Sequence, residues 1–228
     1  QIGSAMVVGN TYSWSPTTGL SGSTIANPIA NPTTTTTYTV TVTNIANGCT
    51  ASDQIVVNVN TAIPSADAGT DFTKTCTTNP NGSQIGSASV AGNSYSWSPA
   101  TGLSSSTVSN PTANPTATTT YTVTVTTTAN GCTATDQVVV TVNTSVPNAS
   151  ATNDGPLTCN KTSVTLTATG GGSYLWSNGA STSTTNVSAP GSYQVTVTNT
   201  ASGCTAVAST TVIEEDKITI GNFVWLDT

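Results

Sequence analysis

The chain contains a near-copy of itself. Residues 2–60 and 85–143 align without a gap at a spacing of 83, and 45 of the 59 aligned positions are identical. Trp14 maps onto Trp97, Tyr38 onto Tyr121 and Cys49 onto Cys132. A period this long gives each copy enough chain to fold alone, so the sequence describes an array of whole domains. Such arrays serve reach and surface display, whereas a catalytic site is usually built once.

Within each copy the pattern is that of strands. Residues 121–126 alternate strictly, with Tyr121, Val123 and Val125 on one face. Residues 137–142 are nearly continuous valine, and the intervening Ala129-Asn130-Gly131-Cys132 carries the Asn-Gly hairpin signal. A third, shorter stretch repeats the scheme with strands at 192–198 and 206–213 around a Ser202-Gly203 turn. Asn110-Pro111 and Asn114-Pro115 interrupt any ladder and mark a loop or sheet edge. Helical periodicity is absent. About seven short strands per copy predict an antiparallel β-sandwich.

Pro64 and Pro147, again 83 apart, mark the boundaries. The expected modules are 1–61, which lacks its first strands because Gln1 enters at the register of Gln84; 65–144, complete; and 148–213, shorter but keeping Cys159, Trp176, Tyr193 and Cys204. Linkers of this length make a semi-rigid rod. After the charged Glu214-Glu215-Asp216-Lys217 a different pattern occupies 218–228. The chain is expected to be an excerpt of a longer polypeptide.

Charge is sparse: three lysines, no arginine or histidine, nine acidic residues and a net charge of −6. Nucleic-acid binding needs clustered cations and is not expected. Nor is a basic membrane-surface patch, and no apolar run is long enough to insert in a bilayer. Without histidine, nucleophilic catalysis lacks its usual base. The few acids fall at linkers and turns, which does not suit a paired-carboxylate glycosidase. The chain is read as a non-enzyme.

The five cysteines are Cys49, Cys76, Cys132, Cys159 and Cys204. They lack metal-site spacing, so disulfides and an oxidising compartment are expected. Two connectivities respect the period. Cys76–Cys132 with Cys159–Cys204 leaves Cys49 for a partner eight residues upstream of Gln1. Cys49–Cys76 with Cys132–Cys159 leaves Cys204. The first is preferred because its pairs stay inside modules.

Tyr95-Ser96-Trp97-Ser98-Pro99, then Thr101-Gly102-Leu103, Asn110-Pro111 and residues 118–123, resemble the PKD-like and Ig-like repeats of very large surface proteins of Bacteroidota-type bacteria, gliding-motility adhesins among them. The resemblance covers nearly the whole chain. It implies an all-β fold of tandem antiparallel β-sandwich (Ig-like/PKD-like) modules in an extended rod, exported by the type nine secretion route to the cell surface. The closing Ile-Gly-Asn-Phe-Val-Trp-Leu-Asp-Thr resembles the first strand of an SdrD-like B-type domain. One departure is that Tyr121 precedes Cys132 by eleven residues, not the two of immunoglobulin domains.

Several side chains have two readings. Trp14, Trp97 and Trp176 suit core positions, with Tyr38, Tyr121 and Tyr193; exposed, the tryptophans would be glycan platforms. Asp53 and Asp136, expected just ahead of the last strand of each copy, read as turn caps, with calcium ligation between modules as the alternative. Asp67 and Asp71, beside the Pro64 linker, are the calcium candidates and calcium the one cofactor considered, because extracellular modules use it at hinges. Lys74 and Lys161 are candidates for isopeptide cross-links, without an assignable acid. The threonine runs at 33–37 and 116–120 read as polar strand edges, with glycosylation and ice binding as alternatives. The function expected is a stalk that projects a binding tip. The alternatives are repeats that bind glycan or partner surfaces, or that co-assemble into a filament by strand exchange.

Overall fold

A computed structural model describes residues 1–215. The closing strand expected at 218–228 lies outside them. Among the described residues the regular elements are all strands. They begin with β1 (Asn10–Ser15), β2 (Thr36–Asn44) and β3 (Thr50–Val57). Next come β4 (Phe72–Lys74), β5 (Ser83–Gln84), β6 (Asn93–Ser98), β7 (Thr112–Ala113), β8 (Thr119–Thr127) and β9 (Thr133–Val142). The last are β10 (Ser150–Asn153), β11 (Val164–Thr169), β12 (Ser173–Trp176), β13 (Thr184–Val187), β14 (Gly191–Thr198) and β15 (Thr205–Val212). The fold is all-β and built of tandem antiparallel β-sandwich modules.

Two compact units divide the chain: Gln1–Ser65 with Thr126–Ala134, and Ala66–Val125 with the chain from Thr135. In the first, β1, β2 and β3 form one sheet in that order, with Tyr38 opposite Ile55. In the second, a sheet of order β4-β9-β8-β6 is accompanied by the small β5-β7 pair. It is followed by two three-stranded sheets, β10-β11-β13 and β12-β14-β15.

The alternation in β8 sends Tyr121, Val123 and Val125 into a core with Trp97, Ile85, Val138 and Val140, all fully or almost fully buried. Threonines on the other face of the strand stay partly solvated. Burying side chains of this size contributes about 1.5–3 kcal/mol each. A second core gathers Leu157, Val164, Leu166, Trp176, Val195 and Val197.

The first sheet has nearly the same sequence but a thinner core of Ile2, Trp14 and Tyr38. Ile55 is 40% exposed, whereas its counterpart Val138 is 0% exposed. The cause is a missing cover. Over the β8–β9 face lie Ala66, Ala68 and Phe72, and β4 runs parallel to β9 with Phe72 opposite Val140. No described segment of the first unit lies in the corresponding place.

Candidate functional site

The site is built from two small motifs, each of which recurs. The first is a turn after β4. The Thr75 hydroxyl accepts from the N–H groups of Thr77 and Thr78 at 3.2 and 2.8 Å, and Thr75 N donates to Thr78 O at 2.8 Å. This closed turn presents Cys76. At 158–161 the Thr158 hydroxyl accepts from Asn160 and Lys161 N–H at 3.2 and 2.9 Å, and the same turn presents Cys159.

The second motif is the hairpin tip. Between β14 and β15, Asn199 N donates to Cys204 O at 2.9 Å and Gly203 N to Asn199 O at 2.8 Å. Thr127, Gly131 and Cys132 repeat this between β8 and β9, as do Asn44, Gly48 and Cys49 between β2 and β3. The tip needs a left-handed residue, and Gly48, Gly131 and Gly203 hold φ of 71°, 71° and 67°.

The two motifs meet once. Cys76 and Cys204, 128 positions apart in sequence, form a disulfide with Cα atoms 5.1 Å apart. Cys76 N donates to Ser202 O at 3.0 Å. Ser202, fully buried, donates its Oγ to Ser145 O at 2.6 Å and accepts from Cys204 N at 3.2 Å. Turn, linker and hairpin are thus tied at one point.

This corrects the cysteine pairing expected from the sequence. Cys49, Cys132 and Cys159 are thiols, and neither Cys76–Cys132 nor Cys159–Cys204 forms. Strand direction is the reason. Because β4 runs parallel to β9, Lys74 lies opposite Val142 at the end of that strand, whereas Cys132 precedes its first residue. Ten residues of strand span roughly 30 Å, and a disulfide tolerates about 7 Å between Cα atoms. Leu157 bridges Glu214 in the same parallel sense, so Cys159 lies at the far end of β15 from Cys204.

The remaining candidates have defined places. Trp14, Trp97 and Trp176 are buried, with their indole N–H groups donating to Ile25 O, Val108 O and Thr182 O at 2.9, 2.9 and 3.1 Å. Tyr38 and Tyr121 are buried and donate to Thr18 O and Thr101 O at 2.6 and 2.7 Å. Tyr193 is half-buried and donates to Ala189 O at 3.0 Å. Burial pushes the Tyr121 phenol above its ordinary pKa.

Asp136 and Asp53 lie inside β9 and β3, not ahead of the last strand. Asp136 Oδ2 accepts from Ala68 N at 2.8 Å and so holds the covering segment, while Asp53 Oδ1 accepts from Gln54 N at 2.8 Å. Asp71 Oδ1 accepts from Val139 N at 2.8 Å and Asp67 Oδ1 from Gly69 N at 2.9 Å. Both calcium candidates therefore spend an oxygen on backbone. Lys74 Nζ donates to Asn114 Oδ1 and Pro115 O. Lys161 Nζ pairs with Asp154 Oδ1 at 3.0 Å, an exposed ion pair whose hydrogen bond, with one from Thr165 N, lowers the Asp154 pKa.

The uncovered face of the first sheet forms a groove of about 440 Å³ lined by Tyr12, Trp14, Val40, Val42, Asp53 and Ile55. The sequence offered no sign that the junction residues Ser202 and Ser145 matter.

No protein-family model matches the chain, and no curated protein of similar sequence does. Solved structures overlap it only loosely. The four N-terminal Ig domains of Dscam1 isoform 1.9 match at TM-score 0.27 and 12% identity, covering 90% of this chain, which spans 64% of that one. A three-Ig fragment of titin matches at TM-score 0.45 and 10% identity, covering 92% of this chain and 89% of that one. Sidekick-1 immunoglobulin domains 1–4 match at TM-score 0.32 and 14% identity, covering 92% of this chain and 68% of that one. Overlaps this loose say nothing about activity or partners.

Proposed function

We propose that this chain is a load-bearing stalk segment of an extracellular surface protein, whose modules project a binding tip. The modules are 1–61, 65–144 and 148–213. The observation that carries the reading is the Cys76–Cys204 bond. It joins the turn of one module to the hairpin of the next across a linker that the same hairpin grips through Ser202. A cross-link at that place fixes the angle between neighbours and routes tension around both cores. It also belongs in an oxidising compartment. The repeats of bacterial surface adhesins exported by the type nine route, which the sequence resembles, have the same use.

Small-angle scattering tests the reading. A compact body of this length has a radius of gyration of about 17 Å. A stalk gives a much larger value and a pair-distance function with a long tail, and a value near the compact one removes the proposal.

A second reading is favoured by the groove on the first sheet. Its apolar floor and the carboxylate of Asp53 match the face that Ala66, Ala68 and Phe72 cover on the second sheet, where Asp136 binds Ala68 N. A strand from a neighbouring chain fits there, which would turn stalks into a filament. Native mass measurement at rising concentration checks it: a chain that stays at 22.7 kDa does not exchange strands.

A further inference from the structure

We infer that Cys132 is half of a second inter-module disulfide, whose partner is the turn cysteine of the module built on β1, β2 and β3. The inference rests on the 83-residue register and on the bond already formed, not on the stalk reading.

The formed junction sets the rule. The hairpin cysteine of one module, Cys204, bonds the turn cysteine of the module before it, Cys76. Cys132 occupies the hairpin position of Cys204 one module earlier, with the same two backbone bonds closing its tip. The tip also grips the linker in the same way. Asn130, which stands where Ser202 stands, donates its Nδ2 to Ala62 O at 2.8 Å, and Ala62 and Ser145 are 83 residues apart. So the hairpin that carries Cys132 holds its linker at the register-equivalent carbonyl.

Space is the remaining requirement. A Cβ on Gly203 would collide with the side chain of Thr77, which belongs to the cysteine turn. A Cβ on Gly131 meets nothing within 4 Å. The space beside the tip glycine that Thr77 of the turn fills at the formed junction is open at the other. The groove over β3 is the track along which a segment like Ala66–Phe72 would bring such a turn.

The partner is therefore an extended segment of the Ala-x-Ala-Gly-x-x-Phe kind ending in a Thr-Cys turn. Closing the bond takes one proton and one electron from each thiol. Both electrons pass to an oxidised disulfide donor, which leaves as two thiols. By the same rule Cys159 is the turn half of a further rung and Cys49 the hairpin half of an earlier one.

The test uses the protein as it is, with a peptide of residues 65–84 whose cysteine carries a thionitrobenzoate mixed disulfide. A protein thiolate attacks the peptide sulfur, a protein–peptide disulfide forms, and thionitrobenzoate leaves with the electron pair. Docking raises the local concentration of the peptide disulfide from micromolar to about millimolar, so Cys132 couples at least about tenfold faster than Cys49 or Cys159. Peptide mapping identifies the site. Equal coupling at the three thiols overturns the inference, as does equally fast coupling of Cys132 to a scrambled peptide. The same peptide with serine at the cysteine position reports groove binding alone. If it binds while coupling is unselective, strand cover survives and the staple does not.

Discussion

Asn130 Nδ2 donates to the carbonyl of Ala62 at 2.8 Å, from the hairpin position at which Ser202 Oγ donates to Ser145 at 2.6 Å. One donor is a solvated amide and the other a fully buried hydroxyl. The accepting carbonyls are nevertheless equivalent. The segments that precede Pro64 and Pro147 are thus each hydrogen-bonded by the hairpin that follows.

Burial makes the two contacts unequal. Ser202→Ala removes a donor to Ser145 O and leaves the buried Cys204 N–H without its acceptor, a loss of about 1–3 kcal/mol. Asn130→Ala is expected to cost less than about 1 kcal/mol, because water replaces the amide. Chemical denaturation of both variants, followed by tryptophan fluorescence, measures the difference. Equal midpoints would show that the Ser202 network is not holding the junction.

Tension provides a second check. With Cys76 and Cys204 joined, a pull on the chain ends cannot extend the 128 residues of separation between them. At about 3.4 Å per residue, reduction releases up to roughly 430 Å of additional contour. Single-molecule pulling before and after reduction reads this directly. An unchanged contour would mean that the bond is not in the force path.

Much of this architecture can be read from the residues. The alternation of Tyr121, Val123 and Val125 identifies β8 and its buried face, because strand side chains alternate and only one face meets a core. The Asn-Gly signal at Asn130-Gly131 locates a hairpin for the same kind of local reason. Cysteine connectivity was not legible. Pairing inside a module and pairing between modules both respect a period of 83, so register cannot choose between them. The direction of β4 against β9 chooses, and that three-residue parallel strand has no sequence signature of its own. Ser202 was invisible likewise, since its burial comes from the packing of a turn against a linker more than fifty residues away.

Alkaline pH probes the core through Tyr121. Burial raises its pKa above the ordinary value of about 10. The folded state therefore holds the phenolic proton more tightly than the unfolded state does. That stabilisation is complete below the unfolded pKa and is lost as pH rises through the folded one. Tyr121→Phe loses the bond to Thr101 O and should be less stable than the parent by about 1 kcal/mol near neutral pH. Above pH 10 the gap should close, as measured by denaturation of both proteins across pH. A gap that widens there has the wrong sign for this mechanism.

Glycine substitution separates backbone conformation from junction packing. Gly131 and Gly203 share a left-handed backbone, with φ of 71° and 67°. Alanine at either costs about 1 kcal/mol for that conformation. At Gly131 the new Cβ enters open space and the cost stops there, whereas at Gly203 it strikes Thr77 beside the Cys76–Cys204 bond. Gly203→Ala should therefore cost clearly more than Gly131→Ala. It should also leave a larger fraction of Cys76 and Cys204 reduced after oxidative refolding, counted by thiol titration. Gly131→Ala should leave that fraction unchanged. If both variants oxidise alike and lose the same stability, the turn does not press on the hairpin as closely as the packing around Thr77 requires.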